Sequence, residues 1–507
     1  MEQKKRSERK AQAGSLRQLP WRRVTNPYKP LEILSEDQVE AIHEASLRIL
    51  EEMGLEFMSP EALDLLKRAG AEVDFDTQMV RFDRGLIEEY LAKAPGRVTL
   101  TPRNPERQVV LGEGHLAFNL VAGPPFVHDC ETGRRDGSYG DLCDLLRLAQ
   151  SFNIIHMVGN QPVAPIELPA ETRHLDCYLA NLTYTDRVFS CTAIGAERAL
   201  DGIDMMAIAR GLTREAMIES PGVITNINVN SPRRVDAAMA DGLIAMSRHG
   251  QAVTVTPFTL MGAMTPVTLA GALVQQNAEA LGTLALTQIV RPGAPVVYGA
   301  FTSNVDMRSG APAFGTPENA KATIAAGQLA RRYDLPYRAS NANASNVADA
   351  QAAYESQMSI WSSIMGGANY LMHGAGWLEG GLLASYEKLV LDAEMLQMIA
   401  EILVPVKVDE AELALEAIAE VAPGGHFFGS PHTMARYETA FYEPMVSDWT
   451  NHEAWVEAGA TTATERATKI WKQVLADYQQ PPLDPAIREE LEAFVSRRKQ
   501  EIVRQLP

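Results

Sequence analysis

Residues 370–388, YLMHGAGWLEGGLLASYEK, contain the side-chain types that a reactive site needs. The imidazole of His373, the indole of Trp377 and the carboxylate of Glu379 are separated by glycines, which let the backbone turn sharply. The apolar start of the stretch predicts a short buried strand. The three side chains then follow the C-terminal end of a strand, where folds built from strand and helix units place their chemistry. A turn-rich linker in which the indole only packs is the alternative interpretation.

Seven short apolar runs alternate with long Ala/Leu-rich stretches between Tyr139 and about Ile402. The predicted strands cover residues 154–158, 188–191, 223–227, 252–255, 296–298, 336–339 and 370–372. The predicted helices between them cover residues 174–182, 197–210, 235–247, 269–289, 319–333 and 349–365. This regular alternation predicts an α/β protein with a (β/α)8 barrel of the TIM type rather than a doubly wound sheet. The pattern does not identify the eighth strand.

The chain divides into four predicted segments. They are a flexible basic arm at 1–34, an α+β extension at 35–135, the barrel at 136–404, and a C-terminal segment at 405–507. Ser35 is a predicted helix cap, and the apolar spacing after it indicates an amphipathic helix that ends at Gly54. The C-terminal segment contains the sequence GGHFFGSPHT and two closing helices.

Composition and charge exclude several classes of function. A net charge of −18 argues against a nucleic acid partner, because phosphate binding needs clustered Lys and Arg. No apolar run approaches the roughly 18 residues of a membrane span, and the basic N-terminus lacks the apolar core of a secretory signal. The four cysteines are scattered without a CxxC pair, so we predict reduced thiols, a cytoplasmic location and no metal site.

The residues that follow the predicted strands are mainly amides and aromatics. They are Asn160, Thr192, Asn226, Asn228, Thr256, Phe258, Tyr298, Phe301, Asn304, Asn341, Asn343, His373, Trp377 and Glu379. A pocket of this composition suits a quaternary ammonium, whose spread charge is attracted to π faces. Core packing of the Phe and Tyr rings, and helix capping by the Asn side chains, are the alternatives. No motif of the familiar hydrolases or of phosphate and dinucleotide binding is present.

Four longer blocks resemble signature segments of the trimethylamine methyltransferase family. They are YGAFTSNVDMRSGAPAFGTPE at 298–318, ADAQAAYES at 348–356, GAGWLEGGLLASYEKLVLDAEML at 374–396 and GGHFFGSPHT at 424–433. The resemblance implies a (β/α)8 barrel that transfers a methyl group from a methylated amine to the Co(I) corrinoid of a separate partner protein. It therefore implies a cobalamin-type corrinoid supplied by that partner, and no tightly bound cofactor in this chain.

One departure from the family pattern narrows the expected substrate. Family members that act on trimethylamine carry pyrrolysine, in a region that corresponds here to SNANASN, whereas this sequence has only standard residues. The resemblance therefore implies the branch without pyrrolysine, which demethylates quaternary amines such as glycine betaine. Such an amine leaves as a neutral molecule, so in-line attack on its methyl group needs no general acid.

The resemblance and the residue types together give each candidate a role. We expect an aromatic cage of Phe258, Tyr298, Phe301 and Trp377, binding by Asn341 and Asn343, and catalytic roles for His373 and Glu379. The GGHFFGSPHT segment, with His426 and His432, is expected to contact the corrinoid partner. A substrate carboxylate is expected to pair with Arg338, His426, His432 or amides of the 340s, and the sequence does not choose among them. We also expect a homo-oligomer. The alternative functions are methyl transfer to another acceptor such as a folate, and a non-catalytic binding protein for quaternary amines.

Overall fold

Eight parallel strands form a closed barrel in the computed structural model, which describes residues 16–505. In chain order, strands β1 to β8 are His115–Leu120, Met157–Val158, Val188–Ser190, Val223–Val229, Ala252–Met261, Val296–Gly299, Tyr337–Ser340 and Tyr370–Ala375. Every strand pairs with its neighbours in parallel, and β8 pairs with β1 to close the ring. The prediction of a (β/α)8 barrel is confirmed, and all seven predicted strands are present.

A helix follows each strand and covers the outside of the barrel. Helices α1 to α8 are Tyr139–Ser151, Arg173–Tyr184, Ala196–Arg210, Ala237–Arg248, Leu269–Val290, Pro317–Arg332, Ala350–Met365 and Tyr386–Ile402. Several begin at a side-chain cap, among them α1 at Ser138 and α8 at Ser385. A short helix, Ala216–Glu219, also lies between α3 and β4.

The strand that the sequence pattern missed is β1, His115–Leu120. Its sequence, HLAFNL, is not a continuous apolar run, because it contains Asn119, which faces the barrel interior and is fully buried there. The barrel thus takes its first strand from the segment that we had assigned to the N-terminal extension. The predicted boundary at 136 falls between β1 and α1.

The N-terminal extension packs on α5. Its helices are Glu36–Arg48, Pro60–Ala69 and Arg84–Leu91, and its strands Leu55–Phe57, Glu72–Asp74 and Met79–Arg81 form a sheet with Arg234–Val235. A capping box at Ser35 begins the first helix as predicted, and a π-helical turn, Ile49–Met53, extends it to Gly54. Packing is close at Gly282 of α5, where a Cβ atom would lie 2.6 Å from a methyl group of Leu55. Cover from the extension explains why α5 is apolar around most of its circumference.

The N-terminal end of the barrel is closed by two elements. The strands Val98–Leu100 and Val109–Leu111 form a ribbon whose apolar side chains join the lowest layer of the barrel interior. The arm from residue 16 to residue 34 runs across the same end, and its strand Val24–Thr25 pairs with β1. The sequence predicts a flexible arm at 1–34. Residues 1–15 of that arm lie outside the described residues.

Beyond α8 the chain forms four short helices before two long ones. The short helices are Glu410–Leu413, Leu415–Glu420, Pro431–Met434 and His452–Glu457. The two predicted closing helices are Ala463–Ala476 and Pro485–Gln505. A search of residues 16–505 finds no helix with the length and hydropathy of a membrane span.

Candidate functional site

The loop that follows β8 forms one wall at the C-terminal end of the barrel. Its strands Trp377–Leu378 and Leu383–Ser385 join the hairpin Phe126–Asp129 and Gly133–Asp136, which follows β1, in a four-stranded sheet. Between the two loop strands lies a 3-10 turn, Glu379–Gly381. The loops after β8 and β1 thus brace each other at the C-terminal end of the barrel, which is the end where barrels of this type place their active sites.

His373 lies at an irregularity in β8. The register with β1 shifts between Leu371 and Ala375, and His373 has a φ of 56°, in the left-handed region that non-glycine residues rarely adopt. Its ring stacks on that of Trp377, with centroids 5.4 Å apart and planes 20° from parallel. Burial, and next the nearby charge of Arg338, lower the pKa of His373 well below its usual value of 6.5. His373 is therefore a neutral ring at pH 7.

Five rings form one aromatic cluster, made of Phe258, Phe301, Phe314, His373 and Trp377. Phe258 of β5 and Phe301 are register partners in parallel strands, which places their ring centroids 5.2 Å apart. Phe301 stacks on Phe314 at 5.3 Å, and Phe314 meets Trp377 edge to face at 5.4 Å. Phe258 and Phe301 stay partly exposed, so the cluster has an open side.

Amide and hydroxyl side chains lie on or after β2 to β5. Asn160 donates to Thr192 at 2.7 Å, Thr256 donates to Asn226 at 2.8 Å, and Asn226 donates to Asn228 at 2.6 Å. Asn160 and Thr192 follow their strands as predicted, whereas Asn226, Asn228 and Thr256 lie within β4 and β5, which extend further than the sequence predicts. This part of the barrel therefore has polar side chains on or after β2 to β5 and an aromatic wall contributed by β5, β8 and the loops after β6 and β8.

A buried ion pair holds the backbone beside Trp377. Lys388 and Asp392 of α8 are 2.5 Å apart and almost fully buried, and the second oxygen of Asp392 accepts from Gly376 N at 2.9 Å. Lys388 also donates to Ser356 of α7 at 2.7 Å. Burial lowers the pKa of Lys388 and raises that of Asp392, and the ion pair opposes both changes. The orientation of Trp377 thus depends on charges hidden beneath its loop.

Glu379 is already paired in the structure. Both carboxylate oxygens accept from Nε of Arg134 at 3.1 Å, and the Arg134 guanidinium lies 3.7 Å above the ring of Phe126. Arg134 belongs to the hairpin after β1, so this pair joins the hairpin to the Trp377 loop. The φ of Glu379 is 55°, so after His373 in β8 it is the second non-glycine residue of this stretch in the left-handed region.

Tyr298 lies on the opposite face of the sheet from the aromatic cluster. Its hydroxyl donates to Asn277 Oδ1 at 2.8 Å and accepts from Gln276 at 3.1 Å, and both partners belong to α5. Side chains alternate along a strand, and Val297 is the neighbour that faces the barrel interior. The prediction that Tyr298 belongs to the aromatic cage is therefore wrong. The ring that packs beside Phe301 is Phe314.

The amides of Asn341 and Asn343 are used inside the fold. Asn341 donates to Gly374 O at 3.0 Å, and Asn343 donates to Ser356 at 2.6 Å. Both side chains are fully buried. Gly374 belongs to β8 and Ser356 to α7, so both amide donors are bound inside the fold, whereas the buried Oδ1 atom of each amide has no partner within residues 16–505.

The two histidines of GGHFFGSPHT lie in the C-terminal segment outside the barrel. The exposed His426 packs near Phe428, with ring centroids 5.8 Å apart. His432 is half-buried in the short helix Pro431–Met434. Neither ring belongs to the aromatic cluster.

Comparison with known proteins fits this architecture. The sequence model described as trimethylamine methyltransferase matches residues 2–503. The chain belongs to the trimethylamine methyltransferase family. It is 36% identical to the glycine betaine methyltransferase of Desulfitobacterium hafniense, over 93% of this chain and 98% of that protein.

More distant members of the family match over a similar length. Identity is 30% with a trimethylamine methyltransferase of Desulfitobacterium hafniense, over 92% of this chain and 94% of that protein. It is 27% with a proline betaine:corrinoid methyltransferase of Eubacterium limosum, over 91% and 96%. The fold resembles the crystal structure of the Methanosarcina barkeri monomethylamine methyltransferase, with a TM-score of 0.50 and 11% identity over 91% of this chain and 88% of that one.

Membership of the family shows which signal had pointed to the ring that sequence reasoning missed. Phe314 lies inside the family block at 298–318, between the strand Pro312–Ala313 and α6. The sequence prediction uses the aromatic residues nearest the predicted strand ends. It misses Phe314 because two further strands separate this residue from β6. Its place in the same block as Phe301 was the available signal.

Proposed function

We propose that this protein is a methyltransferase that moves a methyl group from a quaternary amine of the glycine betaine type to the Co(I) corrinoid of a partner protein. Family membership supports the reaction class. The observation that supports the substrate class is the aromatic cluster at the C-terminal end of the barrel, where an indole, three benzene rings and a neutral imidazole pack together.

The cluster suits a cation that cannot donate hydrogen bonds. A quaternary ammonium has no N–H group, so π faces and dispersion contacts are the interactions open to it. Phe258 and Phe301 are partly exposed and supply such faces, and we propose that the buried Trp377, which packs against Phe301, completes the cage. The neutral state of His373 matters, because a protonated imidazole would repel the substrate.

The reaction does not require a general acid from this chain. The methylated nitrogen already carries its positive charge, so the amine departs neutral when the methyl group is transferred. When the partner is bound, its corrinoid supplies the nucleophile. The residues of this chain hold one methyl group of the substrate toward the open side of the aromatic cluster and exclude water. The energy of substrate binding thus orients the methyl group for transfer.

The other residues of the site support this arrangement. Glu379, through Arg134, and the ion pair of Lys388 and Asp392 hold the loop that contains Trp377. Asn341 donates to Gly374 beside the same loop, and Asn341 and Asn343 stay our proposed substrate-binding amides because their Oδ1 atoms are unpaired within the described chain. His426 and His432 stay our proposed contacts with the corrinoid partner.

The proposal extends to the setting in which the enzyme works. Phe258 and Phe301 are partly exposed at the C-terminal end of the barrel, where we propose that the corrinoid partner docks, and the described chain has four free cysteines. We therefore infer a cytoplasmic enzyme with a separate corrinoid protein, and a homo-oligomeric assembly that size-exclusion chromatography with light scattering will test.

The decisive experiment is anaerobic incubation with a reduced corrinoid protein and a panel of amines. Glycine betaine, proline betaine, carnitine and trimethylamine are each added, and the absorbance change of the corrinoid on methylation is followed. Methylation by one or more quaternary amines is expected. Methyl transfer to a folate but not to corrinoid supports the first alternative, and tight binding without transfer to any acceptor supports a sensor.

A further inference from the structure

Arg338 is a buried cation in the barrel interior. It lies on β7 in register with Gly299 and Tyr370, on the face of the strand whose residues point inward. Its exposed fraction is 1%, and it is among the largest fully buried side chains of the protein. Its Cζ atom is 5.3 Å from the ring centre of Phe301, so it borders the aromatic cluster.

The guanidinium of Arg338 has little inside the fold to bind. Two of its nitrogens donate to Ala300 O at 3.3 Å and to the sulfur of Met372 at 3.1 Å, both weak contacts. Its Nε has no partner. No carboxylate within residues 16–505 lies at ion-pair distance from it. Burial lowers the pKa of Arg338 to about 10, so the side chain keeps its charge at pH 7.

An uncompensated buried charge is costly, and folded proteins normally pair it. Arg187 is a second buried guanidinium whose Nε and Nη1 lack partners in the described chain, but its Nη2 donates to Gln150 O at 2.9 Å and the charge of Asp186 lies close to it. In contrast, no carboxylate of the described residues lies close to Arg338. Further polar atoms of the barrel interior also lack partners, namely Thr254 Oγ1 and Asn119 Oδ1. The interior below the aromatic cluster is therefore polar and cationic, with both donors and acceptors that the fold leaves unpaired.

We propose that Arg338 binds the carboxylate of a zwitterionic substrate whose ammonium group occupies the aromatic cluster. This assignment rests on the proposed function and specifies its substrate class. Guanidinium and carboxylate form paired N–H to oxygen bonds, which would occupy donors that are idle in the fold. Because Phe301 touches both the guanidinium and the cluster, the two charges of the ligand must be separated by only a few bonds. Short betaines meet that requirement, whereas choline and trimethylamine offer no carboxylate.

A comparison of two ligands tests the assignment by calorimetry, without corrinoid. Glycine betaine carries both charges, and tetramethylammonium carries only the cation. Arg338→Met is expected to weaken glycine betaine binding by about 100-fold, as loss of one partner of a buried charge pair does, and Arg338→Lys to weaken it less. Tetramethylammonium binding is expected to stay the same or become tighter, since a nearby positive charge is removed.

Arg187→Met is the matched control, because it also removes a buried guanidinium. It is expected to change the affinity for the two ligands equally, if at all. Thermal unfolding supplies a second readout, in which glycine betaine raises the Tm of the wild-type protein and not that of Arg338→Met. The Tm of ligand-free Arg338→Met is expected to match or exceed that of the wild type, because the unpaired charge is gone.

The outcomes separate this assignment from the proposed function. Equal losses for both ligands, or unchanged glycine betaine binding in Arg338→Met, overturn the role of Arg338. If the expected ligand difference appears but no methyl group reaches a corrinoid, the role of Arg338 stands and the proposed reaction fails. A wild-type protein that binds tetramethylammonium but no betaine overturns the carboxylate site directly.

Discussion

At the scale of single residues, Trp377 is the ring that most directly tests the aromatic cluster. Trp377→Ala is expected to weaken substrate binding by about 1 to 2 kcal/mol, the value of a cation held over an indole in a desolvated site. Titration calorimetry with glycine betaine measures the change. The highly exposed Trp449 provides the control, since Trp449→Ala is expected to leave the affinity unaltered. Equal affinities of wild type and Trp377→Ala would remove this ring from the binding site.

Tyr298 makes the opposite prediction, because it is buried between β6 and α5. Tyr298→Phe removes a hydroxyl that bonds both Asn277 and Gln276, so two buried amides lose a partner. The free energy of unfolding is expected to fall by about 1 to 3 kcal/mol, with no change in substrate affinity. Urea unfolding and calorimetry measure the two quantities. A variant with normal stability and weakened binding would return Tyr298 to the cage.

At the scale of elements, β8 and α8 act together to present the loop between them. The irregular register of β8 turns His373 toward Trp377, and the N-terminal turns of α8 supply the ion pair that holds Gly376. Strain of this kind persists only where the surroundings fix it. The site thus depends on the packing of α8 against β8 as much as on the rings of the aromatic cluster.

Lys388→Met tests this dependence. Loss of the lysine leaves Asp392 buried without its counter-ion, and the free energy of unfolding is expected to fall by about 3 to 5 kcal/mol. Urea unfolding at pH 7 measures the change. Arg48→Met is the matched control, because Arg48 and Glu52 form an ion pair at the same helical spacing but on the surface. Its unfolding midpoint is expected to stay unchanged. Similar effects of the two substitutions would contradict the structural role of the buried pair.

At the scale of the whole molecule, His156 joins the N-terminal arm to the barrel. Its Nδ1 accepts from Phe118 N at 3.1 Å, which leaves the hydrogen on Nε2 to be donated to Arg22 O at 3.0 Å. Burial lowers the pKa of His156 to about 4. The folded protein therefore holds this imidazole neutral, whereas the unfolded chain protonates it near pH 6.5.

This difference predicts loss of stability in acid. As pH falls from about 6.5 toward 4, the unfolded state gains a proton that the folded state refuses, so unfolding becomes more favourable. His156 alone is expected to lower the free energy of unfolding by about 2 kcal/mol between pH 7.5 and pH 5. Urea unfolding at both pH values measures this effect. His156→Gln, whose amide can donate and accept but does not titrate here, is expected to show a smaller pH dependence. An equal loss of unfolding free energy between the two pH values in the wild type and in His156→Gln would contradict a neutral His156 in the folded protein.

The sequence by itself determined the alternation of strands and helices, the family, and the position of Trp377 after the last barrel strand. Those features depend on local periodicity, on turn residues and on the rule that parallel strands end at a common edge. Tertiary structure alone decided that His115–Leu120 is the first strand, that Phe314 and not Tyr298 joins Phe301, and that Arg338 is buried without a counter-ion. The reason is physical: the side of a short strand that faces the barrel interior depends on its register with strands far away in sequence, and so does the partner of every buried polar atom.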